Sequence, residues 1–230
     1  MEGVREKEEE VKLLDFWASM FCMRVKIALA EKAITKYDCI IEDLGSDHKS
    51  SLLLEMNPIH KKIPVLIHNH KPISESMNIV EYIDEYWKGD TPFLSSHPYH
   101  RAQSRFWAHF VDTKFFEASN KLWRTKDSKE REEAKAEFIE CLKTLEDVLG
   151  DKCYFEGDKF GYIDIALIPF YSWFQVYETC GSFNIELECP KIIAWGKTCV
   201  LRHSVNTSIP EMDKLSEFIL EIRKQYFGIS

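Results

Sequence analysis

Val11-Lys12-Leu13-Leu14-Asp15-Phe16-Trp17-Ala18-Ser19-Met20-Phe21-Cys22-Met23-Arg24-Val25-Lys26-Ile27-Ala28-Leu29 is the stretch from which the fold is read. Residues 11–17 form an apolar run of strand length, and from about residue 22 to residue 32 Cys22, Val25 and Leu29 fall on one helical face. A strand is therefore followed by a helix. Working outward, residues 37–41 suit a second strand and residues 64–68 a third, with Asn69-His70 as a two-residue turn into a short fourth strand at Pro72-Ile73. Ile79, Val80, Ile83, Tyr86 and Trp87 then recur at helical spacing after Ser76, a residue suited to starting a helix. The order is βαβ followed by ββα.

Gly89, Pro92 and Pro98 interrupt every periodic pattern over residues 88–98, which reads as a linker. Beyond it the pattern is helical. Ala102, Phe106 and Phe110 lie four apart, and Ala134, Phe138, Leu142, Leu145 and Leu149 repeat at four and three; both are read as apolar stripes of packed helices. A further helix starts near Gly161, where Asp164 is placed to accept a first-turn N–H as a structural cap while Ile163 and Ile165 enter the core. The expected organisation is a charged tail over 1–10, an α+β domain over 11–87, a linker over 88–98 and an all-α domain over 99–230.

Composition narrows the function. The chain has 230 residues, is 45% hydrophobic and 30% charged, and carries a net charge of -8, so it has material for a core and repels nucleic acid in general. The first ten residues hold no apolar segment of a secretory signal, and no apolar run reaches the roughly 18 residues that cross a membrane. Seven cysteines, an odd number without CxxC spacing, read as reduced and mostly buried thiols of a cytoplasmic protein rather than as a disulfide framework.

Three short motifs carry chemistry. Ser19 falls just ahead of a helix N-terminus, where a hydroxyl either caps the helix or donates to a bound anion. Lys61-Lys62-Ile63-Pro64-Val65 opens a strand with a proline, and a cis Ile63-Pro64 bond would leave the Ile63 amide available to a peptide-like ligand. Glu75-Ser76 opens the next helix, where Ser76 and its N–H neighbours suit a carboxylate and Glu75 an amine; a plain cap with an acidic first turn is the alternative.

Together with the domain order, these residues resemble a glutathione transferase, and in detail the plant tau class. The likeness rests on Leu13-Leu14-Asp15-Phe16-Trp17-Ala18-Ser19, Arg24-Val25-Lys26-Ile27-Ala28-Leu29, Met56-Asn57-Pro58, His60-Lys61-Lys62-Ile63-Pro64-Val65-Leu66 and Glu75-Ser76. It continues through Gln103-Ser104-Arg105-Phe106-Trp107 and Asp164-Ile165-Ala166-Leu167-Ile168-Pro169-Phe170 into Cys189-Pro190-Lys191. The resemblance implies a thioredoxin-like N-terminal domain with cis Pro64, an all-helical C-terminal domain and a homodimer. It implies glutathione as co-substrate, with neither a cofactor nor a metal. Ser19 would hydrogen-bond the glutathione sulfur, Ile63 would pair with the cysteinyl backbone, Glu75 and Ser76 would hold the γ-glutamyl end, and Lys49 and Lys62 the glycyl end. Phe21, Phe116, Trp123, Trp173, Phe218 and Ile222 match the positions of a hydrophobic substrate pocket; each also fits an ordinary core stripe.

Elementary chemistry supports a hydroxyl at position 19. A thiol with a pKa near 8.5 is only about 3% thiolate at pH 7. Lowering that pKa by about two units takes roughly 2.7 kcal/mol and makes about three quarters of the thiol reactive, which one charge-assisted hydrogen bond and a helix dipole can supply. The reaction expected is attack of the glutathione thiolate on hydrophobic electrophiles, and the same thiolate would serve to reduce organic hydroperoxides.

Met20 stands in place of the proline common after the serine, Ala33 in place of a usual glycine, and Asn120 where a basic residue is frequent; the first two are expected to change backbone freedom only slightly. Cys22 lies three residues after Ser19, the spacing of a redox motif whose first cysteine has become serine, so thiol transfer through Cys22 is one alternative. A non-catalytic carrier of hydrophobic ligands is another, which the presence of Ser19 disfavours. His68-Asn69-His70 lacks an evident third metal ligand, and no Gly-rich phosphate loop or GxSxG elbow occurs.

Overall fold

The computed structural model describes residues 9–43, 49–89 and 91–228, so residues 1–8 of the expected charged tail lie outside the described residues. The chain divides into two compact units, one ending at Trp87 and the other beginning at Lys88.

The first unit is built on a sheet of β1 (Val11–Asp15), β2 (Asp38–Ile41), β3 (Val65–His68) and β4 (Lys71–Ser74) in the order β2-β1-β3-β4. β1 runs parallel to β2 and antiparallel to β3, and β4 is antiparallel to β3. Helix α1 (Met20–Glu31) makes the crossover between β1 and β2, α2 (Ser51–Met56) precedes β3, and α3 (Ser76–Tyr86) follows β4. Side chains alternate across a strand. Leu14, Val65 and Ile67 pack with Leu53 of α2 on one face. By that alternation the fully buried Leu13 and Leu66 turn to the other face, where α1 and α3 pack together. α2 has no counterpart in the expected βαβ-ββα order, because six residues are too few to display a helical period. β1 also ends two residues earlier than expected, since Ser19 N–H turns back to Phe16 carbonyl at 2.9 Å.

The second unit is helical: α4 (Pro98–Phe110), α5 (Phe116–Arg124), α6 (Ser128–Leu149), α7 (Tyr162–Tyr171), α8 (Phe174–Gly181), α9 (Ile185–Glu188), α10 (Pro190–Val200), α11 (His203–Asn206) and α12 (Met212–Phe227). A π-helical turn, Val111–Phe115, joins α4 to α5. α7 is buried at all its positions, and the α6 stripe of Ala134, Phe138, Leu142, Leu145 and Leu149 is buried as its spacing predicts.

The other stripe turns outward at two of its three positions, with Phe110 half-buried. Ala102 is exposed and Phe106 is 56% exposed, while Ser104 and Ala108 form the buried side of α4. The reason is packing: α4 sets its Ser104 side toward α7, and the one hydrogen of Ser104 Oγ lies between His100 carbonyl at 3.0 Å and Glu156 Oε1 at 2.5 Å. A buried hydroxyl whose hydrogen is satisfied costs little, so hydrophobicity alone misassigns the face.

Among the described residues no helix is long and apolar enough to cross a membrane.

Candidate functional site

The sheet register gathers the chemistry-bearing loops. Leu14 near the end of β1 pairs with Val65 at the start of β3, and Val65 pairs with Ser74 at the end of β4. The loop after β1 carries Ser19, the segment before β3 carries Lys62, Ile63 and Pro64, and the turn after β4 carries Glu75 and Ser76. All three therefore emerge at the same end of three adjacent strands. Neighbouring strands are about 4.8 Å apart, so the row spans about 10 Å, the length of an extended tripeptide.

Ser19 is the N-cap of α1, and its Oγ accepts the N–H of Cys22 at 3.3 Å. A hydroxyl has two lone pairs and one hydrogen. Capping consumes a lone pair and leaves the hydrogen to donate, so the two roles weighed for Ser19 are compatible. The residue is half-buried and stands where the dipole of α1 favours negative charge.

Its neighbour Cys22 is buried, and burial first, then the nearby Asp15 carboxylate, pushes its thiol up to about 12. Such a thiol is neither ionised nor accessible, which removes the physical basis for thiol transfer through Cys22. The mostly buried cysteines expected from composition are Cys22, Cys180, Cys189 and Cys199; Cys39 and Cys153 are exposed and Cys141 is half-buried.

The Ile63-Pro64 bond is cis, and the Ile63 N–H makes no hydrogen bond among the described residues. Behind it Asn57 is buried and organises the turn: its Nδ2 donates to Lys62 carbonyl at 2.9 Å, and its Oδ1 accepts His60 N–H at 3.1 Å. Lys49 Nζ donates to Lys61 carbonyl at 2.6 Å, which holds its ammonium beside the same turn, and Lys62 is exposed.

Glu75, not Ser76, is the N-cap of α3, and it caps with no side-chain bond. Its φ of 71° lies in the left-handed region, which is uncommon for a residue with a Cβ. Ser76 Oγ accepts from Nη1 of the fully buried Arg24 at 3.0 Å. Arg24 also lies over the Phe21 ring at 5.1 Å. The sequence reading missed Arg24 as a partner of the site. The available signal was a charge set among Cys22, Met23, Val25, Ile27 and Ala28, all of which are buried.

Phe21 belongs to the first unit and is half-buried; Phe116, Trp123, Trp173, Phe218 and Ile222 belong to the second. Trp123 and Trp173 are buried with ring centroids 5.8 Å apart, and the Trp173 indole N–H has no partner among the described residues. Phe116 meets Phe170 at 6.4 Å and is half-buried, as are Phe218 and Ile222. Asn120, the residue in place of a frequent basic one, is half-buried on the same helix as Phe116 and Trp123.

The position that the resemblance gives to glycine departs from expectation. Ala33 has φ 57°, the left-handed conformation closing α1, so the methyl group is strained there and the effect on the backbone is more than slight.

Known proteins match this chain over nearly its whole length. The glutathione S-transferase N-terminal domain matches residues 9–85 and the C-terminal domain residues 128–195. The chain is 59% identical over 222 residues to the probable glutathione S-transferase parC of Nicotiana tabacum, spanning 96% of this chain and 98% of the relative. It is 57% identical to glutathione S-transferase U25 of Arabidopsis thaliana, over 94% of this chain and 96% of the relative. Among solved structures, rice GST1 in complex with glutathione superposes with a TM-score of 0.89 at 40% identity, over 96% of this chain and 99% of that one. The tau class enzyme of mango, Mangifera indica, superposes with a TM-score of 0.86 at 38% identity, over 93% and 98%. A thioredoxin-like sheet unit followed by a helical unit, and relatives of this closeness, place the chain in the tau class of the glutathione S-transferase family.

Proposed function

We propose that this glutathione transferase is of the serine type: Ser19 donates its hydroxyl hydrogen to the sulfur of bound glutathione, and the thiolate attacks hydrophobic electrophiles. The observation that carries the reading is the spare hydrogen of a capping hydroxyl at the N-terminus of α1, on the strand end where Ile63 and Glu75 also emerge. A donor and a helix dipole aimed at one atom stabilise its anion selectively, as in any preorganised oxyanion site. Across the row of about 10 Å, the Ile63 N–H takes the cysteinyl carbonyl, Glu75 the γ-glutamyl ammonium and Ser76 its carboxylate, while Lys49 and Lys62 attract the glycyl carboxylate. Arg24 braces Ser76 from beneath, so the hydroxyl that meets the ligand is held by a buried cation.

Within the second unit, Phe116, Trp123, Trp173, Phe218 and Ile222 suit a hydrophobic acceptor, and in the first unit Phe21, close to Ser19 in sequence, is apolar as well. Tyr99 and Phe106, 62% and 56% exposed on α4, support a homodimer that covers them. Seven free thiols support a cytoplasmic setting.

The test is the pH dependence of conjugation to a chlorinated nitroarene. Wild type is expected to show a midpoint well below that of free glutathione thiol, and Ser19→Ala to lose both the low midpoint and about 10²–10³-fold in rate. Retention of both in Ser19→Ala would overturn the serine assignment. Iodoacetamide is expected to leave Cys22 unlabelled in the folded protein.

A further inference from the structure

We infer that His60 is a positioning residue for the amino end of glutathione, an inference that rests on Glu75 receiving the γ-glutamyl ammonium. His60 Nδ1 stands 3.2 Å from Glu75 Oε1, so the imidazole pairs with the carboxylate through one oxygen. A carboxylate offers about four lone-pair sites on two oxygens. Holding Oε1 from the His60 side leaves Oε2 and the remaining lone pair of Oε1 for an ammonium, and stops the carboxylate from turning away.

His60 is itself fixed by the buried part of the turn. Its N–H donates to Asn57 Oδ1 at 3.1 Å, Asn57 Nδ2 donates to Lys62 carbonyl at 2.9 Å, and Lys61 N–H donates to Asn57 carbonyl at 2.8 Å. Asn57 thus ties the backbone that presents Ile63 to the side chain that orients Glu75. The two halves of the ligand site share one buried brace. Glu75 is equally constrained, because its φ of 71° fixes where the side chain leaves the backbone.

The contact is of little use for folding. The His60 and Glu75 side chains are 54% and 63% exposed, and contacts between exposed polar side chains contribute little to stability. Orientation is the role that remains. The charges nearest in sequence, Lys61 and Lys62, are cations and do not replace the carboxylate's partner in recognising an ammonium.

Steady-state kinetics with two substrates tests the inference: glutathione, and glutaryl-cysteinylglycine, which lacks the α-amino group. His60→Ala is expected to raise the KM for glutathione about three- to fivefold, the span of an exposed charge-assisted contact, with kcat and the KM for the deamino analogue unchanged. His60→Gln, which keeps an N–H donor, is expected to restore much of the loss. An unchanged KM for glutathione in His60→Ala, or equal losses with both substrates, overturns the role of His60. Glu75→Gln separates the two levels: if it raises the KM while His60→Ala is silent, only the His60 inference fails, and if it is silent too, the reading of Glu75 fails with it.

Discussion

At the start of α1 and at the start of α7 a side-chain oxygen receives a backbone N–H, and the two arrangements differ in what they leave over. Ser19 accepts one backbone N–H and stays half-buried, and its hydroxyl, unlike the carboxylate of Asp164, carries a hydrogen that it can donate. Asp164 is completely buried and accepts three donors: Gly161 N–H at 2.9 Å, Phe155 N–H at 3.1 Å and Trp195 Nε1 at 2.8 Å. Even the approach to the second cap is closed, since a Cβ at Gly161 would come within 3.1 Å of the Glu156 carboxylate and 3.2 Å of Phe93 carbonyl. A saturated, buried cap is a structural joint. A cap with a spare donor at the surface is a place for a ligand.

That contrast is open to attack first at Asp164. Asp164→Ala leaves three buried donors unpaired, at about 1–3 kcal/mol each before relaxation, so a loss on the order of 3–5 kcal/mol is expected in urea unfolding of the helical unit. The KM for glutathione of whatever protein remains folded should be unaltered. Ser19→Ala should show the reverse, a stability loss of only about 1 kcal/mol beside the large fall in rate. If both substitutions cost stability alone, the distinction between the two caps collapses.

A smaller effect sharpens the comparison through pH. Burial pushes the Asp164 carboxyl up from 3.8 to about 7, while its three donors pull the other way. The native state then holds the proton more tightly than the unfolded chain does. Stability from this group is complete below the unfolded value and is lost as pH rises toward the folded one. Between about pH 4 and about 7 the urea midpoint should decline with a slope that Asp164→Asn removes. An unchanged slope in that variant would show that the carboxylate is ionised throughout.

The smallest expected effect lies at the other end of α1. Ala33 closes that helix with φ 57°, and Ile34 N–H returns to Leu29 carbonyl at 2.9 Å. Ala33→Gly relieves the left-handed strain and should raise stability by about 1 kcal/mol without touching turnover. Thermal unfolding of the two proteins measures it, and a destabilised glycine variant would mean that the strain is offset by packing of the methyl group.

Much of this was legible because it is local. Strand-length apolar runs, the four- and three-residue spacing along α6, and a serine poised before a helix are patterns of one segment, and each was readable before any packing was known. What escaped was decided by partners far away in the chain. Arg24 meets Ser76 across 52 residues, Asp164 meets Trp195 across 31, and Ser104 meets Glu156 across 52. α4 shows the limit plainly, since its amphipathic pattern displayed an apolar stripe but could not say that a hydrogen-bonded serine would take the inner side.

The sequence by itself determined the four strands and the longer helices of the first unit, the apolar stripe of α6, that an α+β unit precedes a helical one, and that Ser19 stands ahead of a helix, because periodicity and capping preference depend on neighbours a few residues apart; the six-residue α2 escaped it. Only the tertiary structure decided which faces are inside, that Cys22 is sealed, that Ala33 is strained, and that Asn57, His60 and Glu75 form one network, because burial and electrostatics depend on what lies across a contact rather than along the chain.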